Sequence, residues 1–235
     1  RNYKVDQSFV NQMINASALD NGLHAGDLKF VDLDGNNKIE QTTSANDRKD
    51  MKVIGNSLPR YNYNFGISAD WYGIDFSVLF QGIGKQNWYP GAETSMFWGP
   101  YSRPYASFIP SDFMSQVWSE ENTNAYFPRP RGYVALGSNR ELAVVNTKYL
   151  QNLAYCRLKN LSIGYTLPDK WLSKIGFEKI RVYFSGENLL TFTKLHSDYI
   201  DPEQASASNS WKTSKSDANI YPWAKTYSFG VDITF

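Results

Sequence analysis

The chain is poor in the residues from which disulfides, metal clusters and hydrolytic sites are built. It has one cysteine and two histidines among 235 residues. The single cysteine, Cys156, excludes an internal disulfide and a cysteine-based metal cluster, and its place in a predicted strand favours a small packing residue over a nucleophile. His24 and His196 belong to no recognisable nucleophile–base pair, and the adjacent or loop-borne acids are more typical of solvated positions than of a glycosidase pair. We therefore expect that the protein is not an enzyme.

The chain also lacks an excess of either charge and a long apolar run. Its 24 basic and 23 acidic residues give a net charge of +1, so no whole-chain field points to nucleic acid. Mean hydropathy is −0.48, and the absence of a run of about eighteen apolar residues excludes a membrane-spanning helix. Alternating strands average to a weakly polar score, so a membrane barrel is not excluded. No apolar signal segment follows Arg1, which predicts either a cytosolic protein or the later part of a longer polypeptide.

Aromatic residues are what the chain has in excess. They make up 16% of it, with 16 Tyr, 14 Phe and 7 Trp. Outer-membrane barrels place such rings at both lipid interfaces, and carbohydrate-binding surfaces use them as stacking platforms. A soluble core rich in rings would normally contain more Leu and Ile as well.

The last nine residues show the clearest pattern. Apolar residues alternate with polar or small ones at Tyr227, Phe229, Val231, Ile233 and Phe235. Period two indicates a β-strand with one apolar and one polar face. Soluble domains usually leave their terminal residues polar, so a strand that ends on an aromatic ring predicts the closing strand of an outer-membrane barrel. The alternative is the edge strand of a soluble sandwich.

Three further segments predict long strands. Residues 61–86 read as a hairpin with its turn at 72–74, and 180–192 read as a later strand. The first arm of the hairpin alternates cleanly over eleven residues. That is about the length a tilted strand needs to cross a bilayer, and about twice that of a typical soluble strand.

The strand predicted at 148–167 contains a conflict. Leu161 and Ile163 are apolar and would face the lipid. In an unbroken strand Arg157 and Lys159, which are also odd-numbered, would lie on the same face and so in lipid. Either those two lie above the hydrocarbon band, or a β-bulge near Asn160 flips the register.

The links between strands are of two lengths. Short links at 72–74 and 168–178, the second a predicted helical turn, should lie on the periplasmic side, which also places Phe235 there. The long stretches are predicted to be extracellular loops: 1–58, 87–147 and 193–222. A short helix is predicted within the middle one at 111–120.

The stretch around Asp32 has the spacing of a calcium-binding loop. Asp32, Asp34 and Asn36 at alternate positions could aim side-chain oxygens at one cation, with the Lys38 carbonyl as a further ligand. The match is incomplete, since Thr43 stands where a bidentate Glu is expected. Because Asp, Asn and Gly also make ordinary turns by bonding to the backbone, a bound Ca²⁺ and a plain turn both stay open.

Six segments, in family order, make the chain resemble the C-terminal part of the SusC/RagA family of TonB-dependent outer-membrane transporters. They are 26–30 with 32–39, 54–59, 157–168, 181–192, 201–203 and 227–235. Each is moderately specific, and their order over nearly the whole chain argues against chance. The family usually has an aliphatic residue where Cys156 stands, a departure that costs nothing in function.

The resemblance implies an all-β fold, a transmembrane antiparallel β-barrel of about 22 strands, to which residues 1–235 would contribute the C-terminal strands and outer loops. The plug and the segment that contacts the TonB complex would lie upstream in the same polypeptide. Five strands cannot close a barrel, and open strand edges in lipid are prohibitively costly. The chain is therefore expected to be one piece of a larger assembly.

The resemblance also implies nutrient uptake across the outer membrane of a Gram-negative bacterium. A SusD-like surface lipoprotein would cap the barrel, an oligosaccharide would be the ligand, and the proton gradient passed through TonB would displace the plug. The alternatives are oligopeptide import by the same kind of transporter and a soluble carbohydrate-binding β-sandwich module. No cofactor is expected other than the possible Ca²⁺.

Six loop aromatics are the candidates for contact with the sugar or the lipoprotein: Trp88, Tyr89, Trp98, Tyr101, Tyr105 and Trp118. Rings offer flat apolar faces to the C–H groups of a pyranose, while loop Asn and Asp would bind its hydroxyls. The alternative is that these rings pack the loop against itself or lie in the interfacial girdle.

Overall fold

The computed structural model describes residues 24–42, 44, 46–102, 108–137, 141–173, 176–208, 215–216 and 221–235. The chain divides into two compact units. The loop unit consists of Arg1–Gly55, Tyr89–Leu150 and Lys215–Asn219. The sheet unit consists of Asn56–Trp88, Gln151–Ser214 and Ile220–Phe235.

Strands outweigh helices in the described residues. The strands are β1 (Arg60–Trp71), β2 (Ile74–Lys85), β3 (Asn87–Pro90), β4 (Gln151–Asn152), β5 (Tyr155–Thr166), β6 (Lys179–Thr193), β7 (Lys215–Ser216) and β8 (Thr226–Thr234). The α-helices are α1 (Ser95–Trp98), α2 (Asp169–Leu172) and α3 (Pro202–Ser208), and short 3-10 helices cover Gly99–Tyr101, Phe113–Gln116 and Gly132–Leu136. Of the helices described, none has the length and apolar character needed to cross a membrane.

The five long strands form one antiparallel sheet in the order β1-β2-β5-β6-β8. The strands predicted from alternation are therefore confirmed. The third begins at Tyr155 and not at 148, because Gln151 pairs separately with Trp88 of β3. The mostly antiparallel β character of the chain follows directly from its period-two segments.

A two-residue turn closes the β1–β2 hairpin. Tyr72 and Gly73 both have positive φ, at 47° and 82°, and such mirror-image turns match the right-handed twist of the strands they join. Glycine is also needed for space, since a Cβ on Gly73 would lie 2.8 Å from the carbonyl oxygen of Thr166.

One face of the sheet is apolar across all five strands, because the register brings like positions together. Phe65 of β1 lies opposite Phe80 of β2, and Phe184 of β6 lies opposite both Ile163 of β5 and Phe229 of β8. This face is open, and Phe229 is 83% exposed. A soluble sandwich would bury such rings between two sheets, so the exposed face counts against that alternative.

A β-bulge in β5 determines where Arg157 and Lys159 lie. Where β2 advances one residue, β5 advances two, from Leu158 to Asn160, so Lys159 is the extra residue. The bulge reverses the alternation, so that Leu158 shares the apolar face with Leu161 and Arg157 turns to the polar face. Of the two possibilities left open by the sequence, the bulge is confirmed.

The polar face carries an ion pair that crosses over β5. Arg181 of β6 donates to both carboxylate oxygens of Asp75 on β2, at 2.8 and 2.6 Å, and reaches Asp232 of β8 at 3.2 Å. We call these three residues the polar strap. Beneath it lies Gly164 of β5, where a Cβ would come 2.6 Å from the Arg181 guanidinium and closer still to the Asp75 carboxylate. Glycine therefore leaves the space through which the pair passes.

A buried arginine fastens α3 to the sheet unit. Arg157 is 2% exposed and donates to Asp201 at 2.6 Å, to Glu203 at 2.8 Å and to Thr191 at 2.9 Å. Asp201 also accepts the Glu203 N–H at 2.9 Å, which makes it the N-cap of α3, and Pro202 at the first helical position has no N–H to satisfy. The sequence predicted only a polar loop here, so this helix is an addition to the predicted fold.

The predicted helix at 111–120 is wrong. Only Phe113–Gln116 turns, as a 3-10 helix. Val117 is extended and bridges Phe127, which ends the helical path after one turn. The predicted helical turn within 168–178 is confirmed as α2.

We expect Gly164→Ala to weaken the sheet. Its methyl group would overlap the Arg181–Asp75 pair, and the free energy of unfolding should fall by about 1 kcal/mol as the pair separates. Ser162→Ala, two residues away on the same face, is the control and should change little. Thermal unfolding of the full-length protein in detergent, followed by circular dichroism, checks this. Equal midpoint temperatures of unfolding for Gly164→Ala and the wild type would contradict the passage of the Arg181–Asp75 pair over Gly164.

Candidate functional site

Aromatic side chains form the centre of the loop unit. The Phe127 ring stacks on those of Phe113 and Tyr101, with centroids 4.7 and 5.9 Å apart. Tyr149 stacks on Phe127 at 6.0 Å and receives the edge of Trp98 at 5.3 Å. Such pairs contribute roughly 0.5–1.5 kcal/mol each beyond the area they bury. We call these five rings the aromatic core.

The polar atoms of the aromatic core bond to nearby backbone. The Trp98 indole N–H donates to the Gly91 carbonyl at 3.0 Å, and the Tyr101 hydroxyl donates to the Pro128 carbonyl at 2.5 Å. Burial raises the pKa of Tyr101 and of Tyr149 far above the ordinary value, so both hydroxyls stay neutral. These rings therefore act as packing groups with satisfied polar ends.

The six rings proposed for ligand contact are placed differently from one another. Four are at most 1% exposed: Trp88, Tyr89, Trp98 and Tyr101. In this structure they offer no face to a ligand, and packing is the alternative that the sequence had left open. Tyr105 lies outside the described residues. Trp118 is half-buried and lines a cavity, so ligand contact stays a prediction that Trp118 is best placed to fulfil.

The cavity beside Trp118 has a volume of about 660 Å³. Its walls include His24, Met114, Ser115, Trp118, Asn122 and Arg129. The indole of Trp118 packs directly on Gly26, where a Cβ would overlap the ring. Gly26 also has a φ of 90°, so both the backbone and the ring contact require glycine. The contact with Gly26 thus holds one face of the Trp118 indole in place.

An ion pair holds the turn that carries Gly26. Arg131 donates to both oxygens of Asp27, at 3.0 and 2.5 Å, and its guanidinium lies 3.0 Å from Nδ1 of His24. Asp27 also accepts the His24 backbone N–H at 2.6 Å. Arginine can only donate, so we assign Nδ1 of His24 as the acceptor, which leaves the N–H of the ring on Nε2. His24 therefore brings an N–H donor to the cavity wall.

The Asp32 loop is closed by its own side chains. The Asp32 carboxylate accepts the N–H groups of Gly35 at 2.7 Å and Asn37 at 2.8 Å, and the Asn36 side-chain oxygen accepts the Lys38 N–H at 2.8 Å. Burial would raise the pKa of Asp32, but its backbone hydrogen bonds outweigh that effect and hold the pKa below its usual value. These bonds account for the turn by themselves.

Three carboxylates meet at this loop. Oxygens of Asp32, Asp34 and Asp50 lie within 4.8 Å of one another. The spacing rule that selected Asp32 and Asp34 missed Asp50, which is drawn in because it accepts the N–H groups of Leu33 and Glu40, each at 2.7 Å. Calcium binding at this loop stays a prediction, with Asp50 as a further carboxylate beside Asp32 and Asp34.

The amino-acid sequence is similar to three TonB-dependent receptors of Formosa agariphila. TonB-dependent receptor P3 is 32% identical over 212 residues, which are 88% of this chain and 19% of that protein. Receptor P26 is 26% identical over 94% of this chain and 21% of its own length, and receptor P39 is 25% identical over 100% and 22%. The chain thus spans about a fifth of the length of these curated relatives. No family model matches it.

The fold is similar to that of solved RagAB structures. The RagAB peptide importer in its open-open state matches with a TM-score of 0.55 and 23% identity, over 90% of this chain and 21% of the other. The closed-closed state gives a TM-score of 0.55 and 24% identity, over 87% and 20%. At these identities the likeness is one of fold.

We expect Trp98→Ala to open the loop unit. Removing a fully buried indole should lower the free energy of unfolding by about 3–5 kcal/mol and speed proteolysis within the loops. Trp171→Ala, which removes a ring that is 61% exposed on α2, is the control. Proteolysis rates of the folded full-length proteins measure the difference. A Trp98→Ala protein as resistant as the wild type would contradict a packing role.

If the Asp32 loop is a calcium site, Ca²⁺ added to chelator-treated full-length protein should bind there. Asp34→Asn and Asp50→Asn should each weaken binding about tenfold or more, because each removes a charged ligand. Asp47→Asn, which alters a nearby acid paired with Lys49, should not. Titration calorimetry distinguishes these cases, and wild-type protein that binds no Ca²⁺ would leave a plain turn.

Proposed function

We propose that this chain is part of a TonB-dependent receptor of the Gram-negative outer membrane, as its similarity to three such receptors supports, and that the whole protein imports oligosaccharides. In this proposal the sheet unit is part of the wall of a transmembrane antiparallel barrel of about 22 strands. Residues 1–58, 87–147 and 193–222 are its extracellular loops. Like its relatives, the protein is a receptor and not an enzyme.

The open apolar face of the sheet is the observation that carries this proposal. Side chains such as Phe229 and Val231 stand exposed on one face, while Asp75, Arg181 and Asp232 bond to one another on the other. An apolar face toward lipid and a polar face toward a lumen is the arrangement of a barrel wall. Water on both sides would make the apolar face a liability.

The edge strands of the sheet, unpaired on their outer sides in the described part of the chain, are evidence that the protein has further strands. Among the described residues, β1 pairs only with β2, and β8 pairs only with β6. Unpaired backbone groups in hydrocarbon cost several kcal/mol each, so further strands must complete the wall. The relatives are about five times as long as this chain, which leaves room for those strands, for a plug and for a segment that contacts the TonB complex.

We propose a SusD-like surface lipoprotein as the partner that caps the barrel. The fold likeness to RagAB supports a two-component importer. Because that solved importer is a peptide importer, oligopeptides are the second candidate substrate. The high aromatic content of the chain and the Trp118 cavity favour oligosaccharides.

Gene deletion tests the function in the parent bacterium. We expect loss of the full-length receptor to abolish growth on an oligosaccharide that the wild type uses, and loss of TonB to have the same effect. Growth on monosaccharides should be unchanged. If the deletion strain loses growth on oligopeptides only, the second candidate is correct. If it loses growth on neither, the proposed function fails.

Paired variants in one strand test the membrane placement. Phe229→Arg would put a charge on the apolar face, at a cost of about 2–4 kcal/mol near the bilayer midplane, and should reduce the amount of assembled receptor and the growth that depends on it. Ser228→Arg adds the same side chain to the polar face of β8 and should be tolerated. Equal amounts of both variants in outer-membrane fractions would contradict the assigned faces.

A further inference from the structure

We propose that the cavity beside Trp118 is a subsite for one saccharide ring, stacked on the indole and held by surrounding side chains. The site lies within the loop unit and uses none of the residues of the sheet. Its volume of about 660 Å³ falls within the range of about 300–1,000 Å³ that is usual for small-ligand sites. This inference rests on the proposed import of oligosaccharides and assigns the residues that would recognise them.

The platform is rigid before any ligand arrives. Gly26 supports the Trp118 ring from behind, and its turn is held by the Arg131–Asp27 pair, whose side chains are 10% and 5% exposed. The Arg129 N–H donates to the Gly26 carbonyl at 2.9 Å, which ties the turn to the opposite segment. A fixed ring loses little entropy on binding, which favours stacking of the apolar face of a pyranose.

The polar groups around the ring suit hydroxyls, which both donate and accept. His24 brings an N–H donor, as its hydrogen bond with Arg131 requires. The exposed guanidinium of Arg129 has no hydrogen-bond or ion-pair partner in the described part of the chain and can only donate. The side-chain amide of Asn122 donates one N–H to the Ser115 carbonyl at 2.7 Å. Its amide oxygen can still accept a hydrogen bond.

The backbone around the cavity argues against a peptide at this subsite. The amide N–H groups of six lining residues already bond within the loop unit: Ser115, Val117, Trp118, Ser119, Asn122 and Arg129. Pro130, another lining residue, has none. One common mode of peptide binding adds an extended peptide to a free strand edge by main-chain hydrogen bonds, and these residues have few such donors left. Side-chain groups remain, and sugars are recognised through side chains.

Titration calorimetry on the purified full-length receptor tests the subsite. The probes are a panel of short neutral oligosaccharides of hexose and pentose units and a panel of short peptides. We expect at least one oligosaccharide to bind the wild type, Trp118→Ala to weaken it about tenfold or more, and Trp118→Phe to have an intermediate effect. Gly26→Ala, which displaces the indole while keeping it, should weaken binding as well.

Trp171→Ala is the matched control, because it removes an exposed indole on α2, outside the loop unit. It should leave affinity unchanged. If Trp118→Ala fails to fold, as judged by circular dichroism, the comparison passes to Trp118→Phe. Unchanged affinity in a folded Trp118 variant, or a wild type that binds peptides and no oligosaccharide, would overturn the subsite.

The subsite and the transport function fail in different ways. If the wild type imports an oligosaccharide and a folded Trp118 variant binds it equally well, only the subsite is wrong. If deletion of the receptor changes growth on no oligosaccharide or peptide, the transport function is wrong, whatever Trp118 binds.

Discussion

In the proposed barrel wall, the constraint on which the sheet depends is that its backbone must form hydrogen bonds without water. A strand in hydrocarbon must find a partner for every N–H and C=O in a neighbouring strand, because the lipid supplies none. Antiparallel pairing does this at every step inside the sheet, whereas the outer edges of β1 and β8 have no partner strand among the described residues. Once the ladder is set, the faces are set too, since a slip of one residue would exchange the two sides of a strand. The positions of Phe65, Phe184 and Phe229 follow from that register.

The bulge in β5 shows how a polar requirement is met within that ladder. Over the same interval β2 takes one step, β5 takes two, and β6 takes three, from Glu187 to Leu190. The extra residue, Lys159, lies 2.9 Å from Glu203 and 3.3 Å from Asn188. Lys159 therefore joins the ion pairs that hold α3. The same bulge places Arg157 on the polar face, where it takes part in those ion pairs. Because the desolvation of buried charges offsets their attraction, a network of this kind adds little net stability.

The sequence predicted the strands and the apolar face well, because the alternation of apolar and polar residues along a strand indicates which face each side chain is on. It missed α3, although Asp201 and Pro202 are a good helix start, because the segment after them has no apolar period. It also missed the Arg131–Asp27 pair, whose partners are 104 residues apart and share no local pattern. The aromatic content of the sequence could not distinguish the buried Trp98 from the half-buried Trp118, because packing inside a loop and contact with a ligand both favour tryptophan.

The polar strap has a mechanical consequence. Neighbouring strands are joined by their ladders, but the bond from Arg181 to Asp75 passes over Gly164 and joins two strands that are not neighbours. Sliding of β2 relative to β6 would therefore have to break this ion pair as well as the ladders that each strand shares with β5. Because Arg181 also reaches Asp232 of β8, the polar strap adds one side-chain cross-link to the backbone ladders of the four strands from β2 to β8.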